Sequence, residues 1–250
     1  MIVRDRVRAE LNLLGISGMV NMKHSLTAMS RGPAFCRILP FLLYIAFLAL
    51  ETSSWFFDGS RSFDPRWLYA LKISIVAAAL LYFWKRYEEL RTPRLSAREG
   101  WIALVMGVIV FGVWINLDGP WVTLGKPKGY DPRAADGSIV WLMASIRLLG
   151  AAVIVPVMEE IFWRSFVMRW VQHQDFLKVN PTHVGFNALL ISSALFAIEH
   201  HQWAAGLVAG LSYGWLYIRS GNLWAAILAH GVTNLLLGFW VLYRAQWQFW

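Results

Sequence analysis

Three short stretches place ionisable side chains where the surrounding sequence suits lipid or a buried core. In VPVMEEIFWRSF, residues 155–166, Glu159 and Glu160 are adjacent and Arg164 follows four residues after Glu160. Each such charge costs free energy to take out of water, so ionisable groups inside apolar helices are functional candidates by default. Successive helical residues point about 100° apart, so the two glutamates face different ways. Glu160 and Arg164 stand at i and i+4 with the acid nearer the N-terminus, the favourable order for an ion pair. That pairing neutralises one carboxylate and leaves Glu159 without a local partner, as expected of a general base in a desolvated site. A packing network or a water-filled lining is the competing reading of the same three residues.

The second stretch is FAIEHH, residues 196–201. Phe196 and His200 share a helix face, so the ring can buttress the imidazole, while Glu199 and His201 are expected to point elsewhere or into the following turn. The third is LAHGVTN, residues 228–234, in which His230 and Asn234 again stand at i and i+4. Two neutral donors converging on one point could stabilise a developing oxyanion, although for the pair alone interhelical hydrogen bonding is the simpler reading. Together, costly polar groups on three separate apolar segments do not read as independent accidents. Water is the expected nucleophile. Cys36, the one thiol, lies outside every motif, and Ser165 has no histidine at helical spacing to activate it.

These residues need helices to carry them, and the composition supplies helices of a particular kind. The 250 residues are 58% hydrophobic and 15% charged with 15 tryptophans, too apolar for an ordinary soluble surface. Five stretches approach the ~20 apolar residues of a bilayer-spanning helix: Ala34–Leu50, Trp67–Trp84, Trp101–Leu117, Ile139–Met158 and Leu223–Tyr243. Two shorter ones, Phe186–Ile198 and Trp203–Ile218, complete an all-α, polytopic transmembrane bundle of about seven to eight helices around an intramembrane polar cavity. The helix from Phe186 is expected not to cross the bilayer fully. Pro156 interrupts the apolar run from Gly137 to Val171 and is expected to divide it, with the glutamate motif opening a second helix. Gly206, Gly210 and Gly214 form one smooth face for close helix packing. One domain is expected over residues 34–250, with the chemistry within 155–240, preceded by a polar tail, residues 1–33. That tail lacks a signal-peptide layout, and Met19, Met22 and Met29 offer alternative starts.

The net charge of +8 sits in segments flanking apolar runs, which argues for membrane orientation and against nucleic acid. Basic residues crowd the tail and the 85–98 connection, so both are expected at the cytoplasmic face of a cell inner (plasma) membrane, with the N-terminus cytoplasmic. The residue 118–137 loop is expected on the opposite side. A lone cysteine implies no oxidising compartment.

The ordered triple EExxxR, FxxxH and HxxxN resembles the signature of the CAAX protease and bacteriocin-processing family, intramembrane endopeptidases that include the type II CAAX prenyl endopeptidase. The resemblance implies a cavity open toward the cytoplasm, in which Glu159 and His200 activate water and His230 and Asn234 hold the substrate carbonyl. Glu160, Arg164 and Phe196 would support them. It implies as partner a membrane-associated protein or peptide substrate. Cofactors stay open. Zinc could take Glu159, His200 and His230, but no HExxH helix is present, which favours a metal-free, glutamate-dependent enzyme. From the first span onward the layout is also similar to bacterial CAAX-protease-related proteins associated with exosortase and PEP-CTERM sorting. A transporter-like protein or a non-catalytic membrane scaffold would use the same residues for ion relay or packing. No internal repeat of the transporter kind is present.

Overall fold

The computed structural model describes residues 32–52, 64–91, 94–125 and 129–250. The expected tail and its alternative starts lie outside the described residues up to residue 31. Seven helices occur among the described residues, with no strand beyond an isolated bridge between Arg133 and Ile139. They are α1 Pro33–Thr52, α2 Trp67–Phe83, α3 Ala97–Asn116, α4 Trp141–Gln172, α5 Phe186–Ile198, α6 Trp203–Ser220 and α7 Leu223–Arg244. Helices α1, α2, α3, α4 and α7 are long and apolar enough to cross a membrane. Helix α5 has 13 residues, about 20 Å at 1.5 Å per residue, short of the ~30 Å hydrocarbon core. Leu42, Leu81, Val105, Val108 and Ile109 point outward, as the flank of a bundle solvated by lipid requires. This is a multi-pass membrane protein.

Local sequence sets several helix ends. Ser96 and Glu99 cap α3 reciprocally, each side chain taking the other's backbone N–H. Gly221, at φ +66°, closes α6 in the left-handed conformation, and the Asn222 side chain at once accepts from Trp224 N–H to begin α7. The glycine stripe of α6 lies against α5. A Cβ at Gly210 would come 2.9 Å from Ser193 Cβ, one at Gly206 would come 3.2 Å from Ala197 Cα, and one at Gly214 would strike Leu189.

Pro156 does not divide the apolar run. Trp141–Gln172 is one helix of 32 residues that widens into π-helical turns at Gly150–Ile154 and Ile161–Met168. In the first wide turn Val155 N–H reaches back to Gly150 O. The next bond in that register would run from residue 156 to Ala151 O, but proline has no N–H. Asn234 of α7 supplies the missing donor, its Nδ2 lying 2.9 Å from Ala151 O. Gly231, one turn earlier on α7, leaves room for the neighbouring Ala152 carbonyl, which a Cβ there would meet at 2.9 Å. Helix α4 therefore continues through its proline because α7 completes it, and Glu159 lies near its middle.

The helices alternate in direction, so the two ends of the bundle differ. One end gathers the start of α1, the 84–91 turns and the α6–α7 turn. There Arg37 pairs with Glu89 at 2.6 Å, both buried. The Ser165 hydroxyl also donates to Glu89, and Trp224 Nε1 donates to Leu90 O at 3.1 Å. The other end gathers residues 64–66, the loop before α4, the α5–α6 turn and the C-terminus. Here Leu124 N donates to His201 O at 2.7 Å, Tyr130 N to Trp247 O at 3.3 Å and Arg66 Nη1 to Arg133 O at 2.6 Å.

Candidate active site

Helices α4, α5 and α7 converge on a small inner cavity of about 170 Å³. Glu159, Phe196, His200, Tyr213, His230 and Asn234 all line it. Spacing places each of them. Glu160 and Arg164 share a face of α4, and the ion pair forms as expected, Arg164 Nε to Glu160 Oε2 at 3.1 Å with both side chains essentially out of solvent. Above the guanidinium carbon lie Phe196, 4.3 Å to the ring centroid, and Tyr213, 5.5 Å.

The Glu160 carboxylate bridges two helices, because its second oxygen accepts from His230 Nδ1 at 2.9 Å. Tyr213 stacks on the same imidazole, centroids 4.9 Å apart at 17°, and its hydroxyl donates to Thr233 Oγ1 at 2.8 Å. His230 is thereby fixed as the Nδ1–H tautomer on the hydrogen-bond network, and Nε2 is left facing the cavity, 3.9 Å from Glu159 Oε2. His200 is fixed in the same sense. Its Nδ1 donates to Phe196 O at 2.7 Å, Phe196 packs against its ring at 4.5 Å and Trp114 meets it edge-on at 5.4 Å. A free Nε2 lone pair therefore remains for a proton or a metal.

The expectation for Glu199 fails. It does not turn away: carboxylate oxygens of Glu159 and Glu199 and a ring nitrogen of His200 all lie within 4.8 Å of one another. Glu199 is the residue after the last turn of α5, where the helical period no longer fixes side-chain direction. Trp163 sets its direction, with Nε1 donating to Glu199 Oε1 at 2.9 Å. A signal for this existed, since Trp163 stands four residues after Glu159 on the same face with an indole N–H that needs an acceptor when buried. His201 does point away, into a hydrogen bond with Leu124 O. Among the described residues Glu159, Glu199 and His200 form the group whose ligand atoms lie within metal-binding reach of one another, with Glu199 standing where the expected zinc set had His230. Two carboxylates with an unprotonated imidazole nitrogen suit a divalent cation with room for water.

The inner cavity opens into an outer chamber of about 690 Å³ reaching Glu51, Arg66, Asp131, Gln202 and Gln248. All of these belong to the bundle end opposite the basic 84–98 connection. A cavity open toward the cytoplasm and a cytoplasmic N-terminus were both expected, but the alternating helix directions allow only one of them.

The fold and the site define a class of protein: a multi-pass helical bundle that keeps paired carboxylates and imidazoles around a polar cavity within its span. Residues 140–236, from the start of α4 into α7, match the family model described as type II CAAX prenyl endopeptidase Rce1-like. That segment holds the polar cavity residues named above, and through it the chain is similar to the Rce1-like type II CAAX prenyl endopeptidases. No curated protein and no solved structure matches the chain. The match does not reach α1–α3, so the likeness to exosortase-associated proteins stays a resemblance.

Proposed function

We infer that this protein hydrolyses a peptide bond of a membrane-associated protein or peptide by direct attack of water, with Glu159 as general base. The observation that carries this reading is the convergence of Glu159, His200, His230 and Asn234 on one cavity. A water between Glu159 and His200 Nε2 would give a proton to the carboxylate as its oxygen attacks the carbonyl carbon. His230 Nε2, 3.9 Å from Glu159, can receive that proton. It then donates to the oxyanion beside the second N–H of Asn234, and later gives the proton to the leaving amine. Glu160 and Arg164 hold His230 in the tautomer this relay needs. With the basic 84–98 connection in the cytoplasm, the chamber takes its substrate from the opposite face.

The test is cleavage of a membrane-tethered peptide library by the full chain in lipid nanodiscs, with products read by mass spectrometry in ¹⁸O-labelled water. One labelled oxygen in the new carboxyl group, no acyl adduct on the protein, and loss of cleavage in Glu159→Gln are expected. An acyl adduct on any side chain overturns the direct-water route.

The grouping of Glu159, Glu199 and His200 favours a second form of the same reading, in which these three would hold a divalent cation that would lower the pKa of the attacking water. Exhaustive chelation separates the two forms. In the metal form cleavage is lost and returns on adding zinc, with Glu199→Gln weakening metal binding measured directly. In the metal-free form cleavage survives.

A further inference from the structure

Arg147, two turns into α4, lines both the inner cavity and the outer chamber. The other cations around the chamber have acids beside them: Lys72 pairs with Glu51 at 2.9 Å and Arg66 with Asp64 at 2.6 Å. Among the described residues no carboxylate forms an ion pair with the Arg147 guanidinium; Tyr69 is the side chain beside it, and the Arg147 Nε is buried without a partner. Arg147 is half-buried, and a charge partly removed from water without a counter-ion is costly, so such a group persists where something else completes it.

Aromatic rings hold this guanidinium in place. Tyr69 lies 4.3 Å and Tyr130 5.5 Å from its central carbon, and the Tyr69 hydroxyl donates to the Arg147 backbone carbonyl at 3.3 Å. The rings lie over the planar group, and no carboxylate occupies its N–H edge, the edge that takes a carboxylate through two parallel hydrogen bonds. The tyrosines supply no negative charge of their own. The charge they present to the chamber is therefore a fixed, directional cation beside the route to Glu159.

We propose that Arg147 is the substrate-anchoring residue, binding a peptide carboxylate in the outer chamber and so fixing which peptide bond reaches Glu159. This rests on the proteolytic reading for its substrate but not for its binding. Arg147 and Glu159 stand twelve residues apart on α4 and line the same inner cavity. An extended peptide covers about 3.3–3.6 Å per residue. A carboxylate on Arg147 thus selects a bond a few residues away, and moving the carboxylate along the peptide moves the cut with it.

The experiment uses lipid-anchored fluorescent peptides of one sequence in three forms: free C-terminal acid, C-terminal amide, and amide with a glutamate in the last position. Binding to the full chain in nanodiscs is measured by fluorescence anisotropy alongside cleavage. The acid should bind about 10–100-fold more tightly than the amide, the range of a charge-assisted hydrogen bond. Arg147→Gln should remove that preference, raising KM for the acid far more than for the amide. Arg147→Lys should recover only part of it, because an ammonium lacks the fork. Recovery by the glutamate peptide assigns the anion to a side chain, and failure of that peptide assigns it to the chain terminus; both uphold the anchor. Carboxylate-dependent binding without cleavage upholds Arg147 and removes the proteolytic reading. Equal binding of acid and amide by the unsubstituted protein overturns the proposal, as does an Arg147→Gln variant that weakens both alike.

Discussion

Glu159 and Glu160 are neighbours in sequence with the same side chain, and their surroundings give them different work. Glu160 is closed in by Arg164 and His230 and cannot approach a substrate. Glu159 faces the cavity. Removing Arg164 strands the Glu160 carboxylate away from water, at a cost of about 3–5 kcal/mol. Arg164→Ala should therefore lower both the yield of folded protein and its thermal midpoint. Glu159→Gln should leave both near those of the unsubstituted protein while losing activity, because an amide cannot accept the proton. Comparing size-exclusion recovery and thermal midpoint for the two variants checks this division, and equal losses would contradict it. The i, i+4 pairs within each motif were legible in the sequence because they lie on single helices. The bridge from Glu160 to His230 spans 70 residues and depends on how α4 meets α7, which no local spacing encodes. Glu199 was hidden for a different reason, since it follows the last turn of α5 and a tryptophan from another helix sets its direction.

At the scale of elements, Pro156 illustrates how a strong local rule yields to a tertiary contact. A proline in an apolar run reads as a break, and the other six helices begin and end within a few residues of where hydrophobic length and polar flanks place them. Here the freed Ala151 carbonyl is satisfied from across the interface by Asn234, which also lines the cavity. One amide thus serves the continuity of α4 and the proposed oxyanion site. Asn234→Ala should cost about 1–3 kcal/mol, the penalty for an acceptor left buried and unpaired, and should also reduce kcat. Adding Pro156→Ala returns a backbone N–H at that turn. The double variant should regain most of the lost thermal stability without regaining activity. Strictly additive stability losses in the double-mutant cycle would show that the two residues do not share the Ala151 carbonyl.

At the scale of the whole molecule, sidedness joins the sequence to the site. The positive-inside bias was plain in the sequence, with Lys85, Arg86, Arg91, Arg94 and Arg98 within one short connection. The direction in which the cavity opens was not, because it depends on which helix ends splay apart. The chamber is bounded by the end of α1, the start of α2, the α5–α6 turn and the C-terminal residues, all at the end remote from that connection. Charge bias of this kind orients multi-pass proteins through short loops, so the basic end should lie in the cytoplasm and the chamber should face away from it. Cys36 is buried, and replacing it with alanine gives a background free of thiols in which single cysteines report accessibility. Gln248, exposed at the chamber end, and Arg94, exposed at the basic end, are suitable reporters. In intact cells a membrane-impermeant maleimide should label Gln248→Cys, and should label Arg94→Cys only after permeabilisation. The reverse pattern would place the chamber in the cytoplasm, making the substrate a cytoplasmic membrane-associated chain and the basic connection an exception to the charge rule.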